Sequence, residues 1–287
     1  MKYRVVDASK AELPIKRLCN VLGVSASGYY AWKNRKMSKR CREDMIYLAH
    51  IRTSFFESHQ SYGVRRIYAD LQEKGLGVGR ERTARLMRDN KLKPRRTKRF
   101  KCTTDSNHKH PIAENMLDQD FSCQAPDQKW GVDISYIWTA EGWLYLAIVL
   151  DLFSRRIVGW AADKRMRKGL AMEALQRALS LRQPRWGLIH HSDRGSQYCS
   201  GDYQKLLKTH NIEPSMSGKG NCYDNSMVET VFKTIKSELI WRTSFMTRLE
   251  AKAAIGQYID GFYNPRRRHS ALGYKSPITY EREMAER

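Results

Sequence analysis

The stretch Trp130-Gly-Val-Asp-Ile-Ser-Tyr136 places one acidic residue, Asp133, inside a run of apolar and β-branched residues. A short run of this kind predicts a buried strand. An ionised carboxylate without a partner is costly to bury, so Asp133 requires a counter-charge or a metal ion. The interpretation of the rest of the chain therefore starts from this strand and its acid.

Two further acids stand in comparable settings. Asp193 ends a strand-like run that begins at Gly187, and Glu229 lies in a segment, 225–239, whose apolar residues recur at helical spacing. Phosphoryl transfer on DNA uses clustered carboxylates to hold two Mg²⁺ ions roughly 3.5–4 Å apart. Mg²⁺ is a hard cation that prefers oxygen ligands. We therefore predict that two strands and a helix bring Asp133, Asp193 and Glu229 together as catalytic residues and metal ligands.

Asp151 competes with Asp133 for the same role. It ends another apolar run, Leu146–Asp151, and its burial would make the same demand for a partner. If a strand over 145–153 pairs antiparallel with 132–137, Asp151 lies close to Asp133. The spacing of the residues alone leaves the choice between the two acids open.

Four motifs of the chain stand out: Trp130-x-x-Asp133-Ile-x-Tyr136, His191-Ser-Asp193-Arg-Gly-Ser-Gln-Tyr198, Asn225-Ser-x-x-Glu229-x-x-Phe232 and Tyr263-Asn264-x-x-Arg267-x-His269-x-x-Leu272-x-x-x-x-Pro277. Together they resemble the catalytic subunit of transposases of the insertion-sequence three family, which are relatives of retroviral integrases. The resemblance covers residues 126 to 280 and includes the 35 residues between Asp193 and Glu229. It implies a ribonuclease H-like fold and Asp133, not Asp151, as the first metal ligand. It also implies that Lys236 is the family's basic residue, which could hold a phosphate of the element's end.

The net charge of +22 is unevenly distributed. Residues 1–111 contain 27 Lys and Arg against 10 Asp and Glu, whereas the remainder contains 25 against 20. Such an asymmetry indicates a nucleic-acid-binding module joined to a less charged domain. The most basic segment, 91–101, fits a solvated linker that still follows DNA phosphates.

Helix–turn–helix patterns occur at 14–33 and 62–91. In the first, Ser25 is expected to cap the second helix, and in the second, Gly75–Gly79 breaks the chain between two helices. A plain helical hairpin has nearly the same pattern, but the charge favours DNA contact. Arg267 is expected to combine structural support with some DNA contact. The complete set of predicted DNA-contacting residues is Arg65, Arg66, Arg80, Arg82, Arg85, Arg88, Arg95, Arg96, Lys236 and Arg267.

The predicted organisation has three parts. A helical DNA-binding region (1–100) is followed by a basic connector (101–125) and by a catalytic core with a C-terminal helix (126–287). The fold class is α/β, because a strand hairpin followed by alternating helices and strands indicates a mixed sheet flanked by helices. Trp130, Trp143, Trp160 and Tyr198 are expected to lie mostly in the core. The predicted core elements are strands over 128–138, 143–154, 156–161, 187–192 and 214–216, and helices over 168–181, 201–210, 224–239 and 248–263.

Other kinds of chemistry fit less well. Cys102, His108, His110 and Cys123 lie in one short window, but they lack the fixed spacings of zinc sites, so neither zinc nor a disulfide is expected. His191-x-x-Arg194 matches a tyrosine-recombinase motif at only two positions, so a covalent tyrosine intermediate is not expected. No apolar run of about 18 residues and no secretory leader occur. We expect a cytoplasmic, nucleoid-associated protein without membrane contact.

The resemblance implies a DNA transposase that binds the terminal inverted repeats of its element and a target duplex. Metal-dependent cleavage, with Mn²⁺ able to replace Mg²⁺, would precede strand transfer. Acting on two ends implies a homo-oligomer, and the family suggests an upstream helix–turn–helix product fused by frameshifting. Two alternatives remain: an inactive DNA-binding regulator or remnant, and a structure-directed nuclease of the same fold.

Overall fold

The computed structural model describes residues 1–95, 113–218 and 222–286, with the side chains of 222 and 223 left out. Contacts divide the chain into two compact units, Met1–Ile51 and Arg52–Arg287. The division falls within a helix, α4 (Lys39–Glu57), and not near residue 100, where the sequence analysis placed the end of the helical region. Four residues with predicted roles, Arg96, Cys102, His108 and His110, lie outside the described residues.

The first unit is helical. It contains α1 (Lys2–Ser9), α2 (Ile15–Val21) and α3 (Ala26–Lys33). The Ser25 hydroxyl accepts a hydrogen bond from the backbone N–H of Gly28 at 3.0 Å, which confirms the predicted cap of α3. The first helix–turn–helix candidate therefore forms two helices joined by a tight turn, as predicted.

The second candidate also forms a helical pair, and it belongs to the larger unit. Helix α5 (Val64–Glu73) and helix α6 (Arg80–Asp89) are separated by the predicted glycine-containing turn. Their apolar residues face inward, with Ile67 of α5 and Leu86 of α6 both buried. The amphipathic pattern read from the sequence thus corresponds to a packed hairpin of helices.

A five-stranded mixed sheet forms the centre of the larger unit. Strands β1 (Lys129–Thr139), β2 (Gly142–Asp151) and β3 (Ile157–Asp163) form an antiparallel meander. Strands β4 (Ile189–Ser192) and β5 (Glu213–Met216) extend the sheet parallel to β1, in the order β3-β2-β1-β4-β5. The mixed sheet and the ribonuclease H-like class are confirmed.

Helices flank the sheet. Their bounds are α7 (Lys168–Arg182), α8 (Gly201–Thr209), α9 (Ser226–Glu238), α10 (Arg248–Tyr258) and α11 (Pro277–Ala285). The first four occur where the sequence predicts helices. Helix α10 continues into a π-helical turn, Ile259–Tyr263, so that the predicted helix over 248–263 is one continuous segment. Helix α11 was not predicted.

The two faces of β1 pack differently. Trp130 and Val132 join a core cluster with α7 and α8. On the opposite face α9 approaches so closely that a Cβ added at Gly131 would lie 2.6 Å from Cγ2 of Val228. Glycine is therefore required at this position for α9 to reach the strand.

The aromatic residues expected in the core differ in exposure. Trp130 and Tyr198 are buried as predicted, and Trp160 is half-buried. Trp143, the second residue of β2, is 44% exposed, so the expectation was wrong for this residue. None of the helices in the described parts of the chain is long and apolar enough to cross a membrane.

Gly131→Ala is expected to lower the free energy of unfolding by about 1–3 kcal/mol, because the new methyl group overlaps a stiff, buried valine. The cost should be smaller in a Val228→Ala background, where that methyl group has been removed. Gly77→Ala is the matched control, since nothing lies within 4 Å of a Cβ added there. Urea unfolding of the four variants tests the contact, and an equal cost of Gly131→Ala in both backgrounds would contradict it.

Candidate active site

The register between β1 and β4 places two acids side by side. Gly131 is paired with His191 in the parallel ladder. Asp133 follows Gly131 by two residues on β1, and Asp193 follows His191 by two residues, directly after the end of β4. Neighbouring strands are roughly 4.8 Å apart. Each carboxylate accepts a local backbone hydrogen bond, Asp133 from Ile134 N–H at 2.7 Å and Asp193 from Gly195 N–H at 2.9 Å.

Glu229 reaches the same region from the first turn of α9. The start of this helix is attached to β1, because the Asn225 side-chain amide donates to the Val132 carbonyl at 3.2 Å. Val228, the neighbour of Glu229, fills the space above Gly131. The Glu229 side chain is 29% exposed and lies 3.8 Å from the ammonium group of Lys233.

The three acids share one electrostatic environment. Burial raises the pKa of Asp133 well above its ordinary value, and the charges of Asp193 and Glu229 raise it further. The Ile134 N–H and the charge of Lys236 oppose this rise without cancelling it. The three acids thus lie near enough for the charges of Asp193 and Glu229 to act on Asp133.

Lys236 faces this site and is not an exposed surface lysine. Only 8% of the residue is exposed, and its ammonium nitrogen lies 4.9 Å from the centroid of the Tyr136 ring. Seven residues separate Lys236 from Glu229, which brings both side chains to the same side of α9.

A hydrogen-bonded group that the sequence analysis missed supports the turn after β4. The two ring nitrogens of His191 lie 2.9 and 3.0 Å from the hydroxyl oxygens of Ser215 and Ser217. Burial lowers the pKa of His191 to about 4, so the ring is neutral near pH 7. Arg194 donates to the Ser217 carbonyl at 2.7 Å. His191 and Arg194 therefore hold the segment that carries Asp193.

Asp151 does not join the site. It is paired with Trp130 across the β1–β2 ladder, three residues from Asp133, and an odd offset places it on the other face of the sheet. Its carboxylate is fully buried and accepts hydrogen bonds from the N–H groups of Asp127 and Ser154. The predicted antiparallel pairing of β1 with β2 is confirmed. The prediction that this pairing would bring Asp151 close to Asp133 was wrong.

The chemistry of the donor groups fits a divalent cation. Within residues 1–95, 113–218 and 222–286, no three His, Cys, Asp or Glu side chains are already arranged to hold one, and Glu229 instead lies beside Lys233. The acids nevertheless supply hard oxygen donors, and their mutual repulsion would be relieved by positive charge. The buried Tyr198 hydroxyl has no hydrogen-bond partner, and burial, followed by the charges of Asp133 and other neighbours, raises its pKa well above the ordinary value.

Comparisons with known proteins agree with this arrangement. Two models described as "Integrase core domain" match residues 124–222 and 210–277, and an "HTH-like domain" model matches residues 42–100. The transposase InsF for insertion sequence IS3 of Escherichia coli O111:H- is 41% identical, over 98% of both chains. The chain belongs to the IS3 family of transposases.

A second relative is consistent with that assignment. An uncharacterized 31 kDa protein of insertion element IS600 from Shigella sonnei is 44% identical over 92% of this transposase and 97% of its own length. Among solved structures, a chain of the simian T-cell lymphotropic virus intasome in complex with PP2A regulatory subunit B56 gamma covers 74% of this chain and is itself covered to 69%, at 15% identity and with a TM-score of 0.47. The HTLV-2 integrase catalytic core domain, solved with magnesium, covers 55% and 97% at 15% identity, with a TM-score of 0.41.

The arginines predicted to contact DNA occupy three kinds of position in the transposase. Arg65, Arg80, Arg88 and Arg95 are exposed. Three others are half-buried: Arg66, whose guanidinium lies 5.6 Å from the centroid of the Tyr62 ring, Arg82, and Arg85, which is 3.5 Å from Asp89.

Arg267 is different from the other arginines. It is 4% exposed and donates to both carboxylate oxygens of Glu238 at 2.9 and 2.7 Å. Structural support and DNA contact were both expected for Arg267. The geometry favours the structural role, because the buried guanidinium is already paired within the fold.

Asp133→Asn is expected to stabilise the metal-free protein by about 1–3 kcal/mol near pH 7. Since the folded state raises the pKa of this acid, ionisation of Asp133 costs stability as the pH rises above its ordinary value near 3.9. The gain should therefore shrink as the pH falls below that value. Urea unfolding with a chelator at several pH values measures it. A loss of stability on Asp133→Asn at neutral pH would contradict this electrostatic interpretation.

Proposed function

We propose that the transposase binds the ends of its element and catalyses metal-dependent cleavage and strand transfer of DNA, with Asp133, Asp193 and Glu229 as its catalytic residues. The observation that carries the proposal is the meeting of three elements: β1 with Asp133, the segment after β4 with Asp193, and the start of α9, held against β1 by Asn225 and Val228, with Glu229. Membership of the transposase family supports the same chemistry.

The three acids would hold two Mg²⁺ ions, or Mn²⁺ in their place. Bound divalent ions lower the pKa of the attacking oxygen and stabilise both the attacking and the leaving oxygen of the displacement. Glu229 has to turn away from Lys233 to take part, which costs little because exposed pairs at this helical spacing contribute only about 0.3–0.5 kcal/mol. Lys236 would place its ammonium group beside a phosphate of the element's end.

The reaction would proceed in two displacements at phosphorus. Hydrolysis at the element's end releases a 3′-hydroxyl group. That hydroxyl oxygen then attacks a phosphodiester of the target strand, forming one P–O bond while the target's own 3′ oxygen leaves. Neither displacement requires a covalent protein intermediate, and His191 and Arg194 serve to hold the Asp193 segment in place.

The helical hairpin α5–α6 would provide part of the DNA-binding surface. Arg80 and Arg88 of α6 are exposed, which suits contact with a groove or its phosphates. Arg65 and Arg95 are exposed as well, and Arg66, Arg82 and Arg85 would add positive charge around them. Arg96, which lies outside the described residues, is a further candidate for DNA contact. The active form would be a homo-oligomer on two DNA ends of the nucleoid, with an upstream helix–turn–helix product fused by frameshifting as a further partner.

The joining reaction tests the catalytic proposal. Labelled element-end DNA is incubated with target DNA, Mg²⁺ and either wild-type protein or Glu229→Gln, with the upstream product also supplied. The proposal predicts cleaved and joined strands for the wild type, and a loss of at least about 100-fold for the variant, because a neutral amide removes one anionic ligand.

Asp151→Asn is the matched control for loss of an acid, provided that its melting temperature shows a folded protein. It should retain joining, since Asp151 lies on the other face of the sheet. Cleavage without joining would identify a structure-directed nuclease instead. Binding without cleavage in any protein would identify a DNA-binding regulator.

Arg80→Gln and Arg88→Gln are expected to weaken binding of element-end DNA at low salt by about 3- to 10-fold each, because each removes a phosphate contact. The slope of log affinity against log salt should fall by about one per variant. Arg185→Gln is the control, since Arg185 is an exposed arginine outside the helical hairpin. Equal losses in all three variants would show that only net charge matters and would contradict a defined contact surface.

A further inference from the structure

The turn between β1 and β2 carries two exposed tryptophans. Trp138 is 60% exposed and Trp143 is 44% exposed, and the two are direct partners across the ladder. Scattered apolar residues on a surface need no explanation, but two neighbouring exposed indole rings indicate a binding surface. Neither ring is among the described residues of the core cluster that packs the sheet against α7 and α8.

These rings form an ordered group with Tyr136, here called the aromatic platform (Tyr136, Trp138 and Trp143). The ring of Trp143 lies edge-to-face with Trp138, at a centroid distance of 4.9 Å, and with Tyr136, at 5.1 Å. Pairs of this geometry are favourable on their own. The platform is thus assembled before any ligand binds.

The turn beneath the platform is held in place from two sides. Within the hairpin, the Thr139 hydroxyl donates to the Gly142 carbonyl at 2.7 Å. From the beginning of α10, Arg248 donates through its backbone N–H to the Glu141 carboxylate at 2.9 Å and through Nε to the Trp143 carbonyl at 3.0 Å. A ligand that binds here therefore meets a fixed surface and pays little for ordering it.

The platform is connected to the acids of the active site. Lys236, whose charge lowers the pKa of Asp133, places its ammonium nitrogen 4.9 Å from the Tyr136 ring centroid. Tyr136 and Trp138 follow Asp133 by three and five residues on the same strand, or roughly 10 and 17 Å at the rise of an extended chain. These odd offsets place both rings on the other face of the strand from Asp133, and Lys236 is the side chain that adjoins both the platform and the acids. A DNA strand that passes around the edge of the sheet beside Lys236 would therefore bring a base on the platform within a few nucleotides of a phosphodiester at the acids.

The chemistry of this surface matches a base of single-stranded DNA. Aromatic rings beside a cation are the combination by which proteins hold unpaired bases and the phosphates that link them. A second copy of this chain is a poorer occupant, because each copy carries a net charge of +22 and a lysine adjoins the platform. We propose that the aromatic platform stacks an unpaired base next to the reacting phosphodiester, an inference that rests on the proposed action on DNA.

The test uses full-length Glu229→Gln with a chelator present, so that no chemistry intervenes. Element-end DNA with a short single-stranded tail carries 2-aminopurine in the tail, whose fluorescence falls when the base stacks on an aromatic ring. Binding should quench the signal at least about twofold. Trp138→Ala and Trp143→Ala, each added to this protein, should abolish the quenching and weaken binding of tailed DNA by about tenfold, while binding of fully duplex ends changes less than about twofold.

Trp186→Ala is the matched control, because Trp186 is 83% exposed and precedes β4 at the other end of the sheet. It should leave the quenching unchanged, and thermal melting should show that all variants are folded. Quenching that survives in both platform variants overturns the proposal. So does loss of a protein dimer, measured by sedimentation without DNA, as the only effect of the substitutions.

Failure of this inference and failure of the proposed function remain distinguishable. If wild-type protein joins DNA but no quenching depends on the platform, the platform is not a base-stacking surface. If quenching depends on the platform but wild-type protein neither cleaves nor joins, the surface binds bases and the proposed catalysis is wrong.

Discussion

The close approach of α9 to β1 is the contact on which the candidate site depends. Gly131 has no side chain, and Val228 occupies the space that a Cβ would fill. The amide of Asn225 then ties the start of the helix to the backbone of β1, one residue before Asp133. Because Glu229 follows Val228 directly, this contact sets how near the third acid lies to the first. The parallel register with β4 does the same for Asp193.

Two buried acids near α9 differ in how their charge is compensated. Glu238, near the C-terminal end of α9, is buried, and burial alone would raise its pKa, but hydrogen bonds and charge from Arg267 lower it overall. The Tyr258 hydroxyl also donates to it at 2.7 Å. Asp133, on β1, has the charge of Lys236 as an opposing influence, yet its pKa stays raised. Glu238 with its arginine stabilises the fold, whereas the raised pKa of Asp133 favours a bound cation.

Much of this arrangement could be predicted from local patterns. The strand around Asp133, the turn after Asp193 and the helix of Glu229 each have a periodicity that identifies them, and Ser25 has the position of a helix cap. The choice between Asp133 and Asp151 could not be made this way. It depends on the β1–β2 register, which pairs Asp151 with Trp130, three residues before Asp133. The family resemblance supplied that choice, and the register agrees with it.

Other features depend on partners that are distant in sequence. The sequence around Arg267 is that of a surface arginine, because its partner Glu238 lies far away in the sequence, on α9. The same is true of His191, whose hydroxyl partners lie on and after β5. The exposure of Trp143 is not indicated by the apolar composition of its strand. Helix α11 has a short amphipathic pattern that the sequence analysis passed over, although Ser276 caps it and Pro277 begins it.

The most direct test of the central claim is to locate a bound metal ion in crystals of the transposase grown with Mn²⁺, using the anomalous scattering of manganese. Convergence of the three acids predicts anomalous density between the carboxylates of Asp133 and Asp193, with Glu229 turned away from Lys233 toward it. Manganese bound at Asp151, or at no position near Asp133 when the ion saturates the protein, would contradict the account.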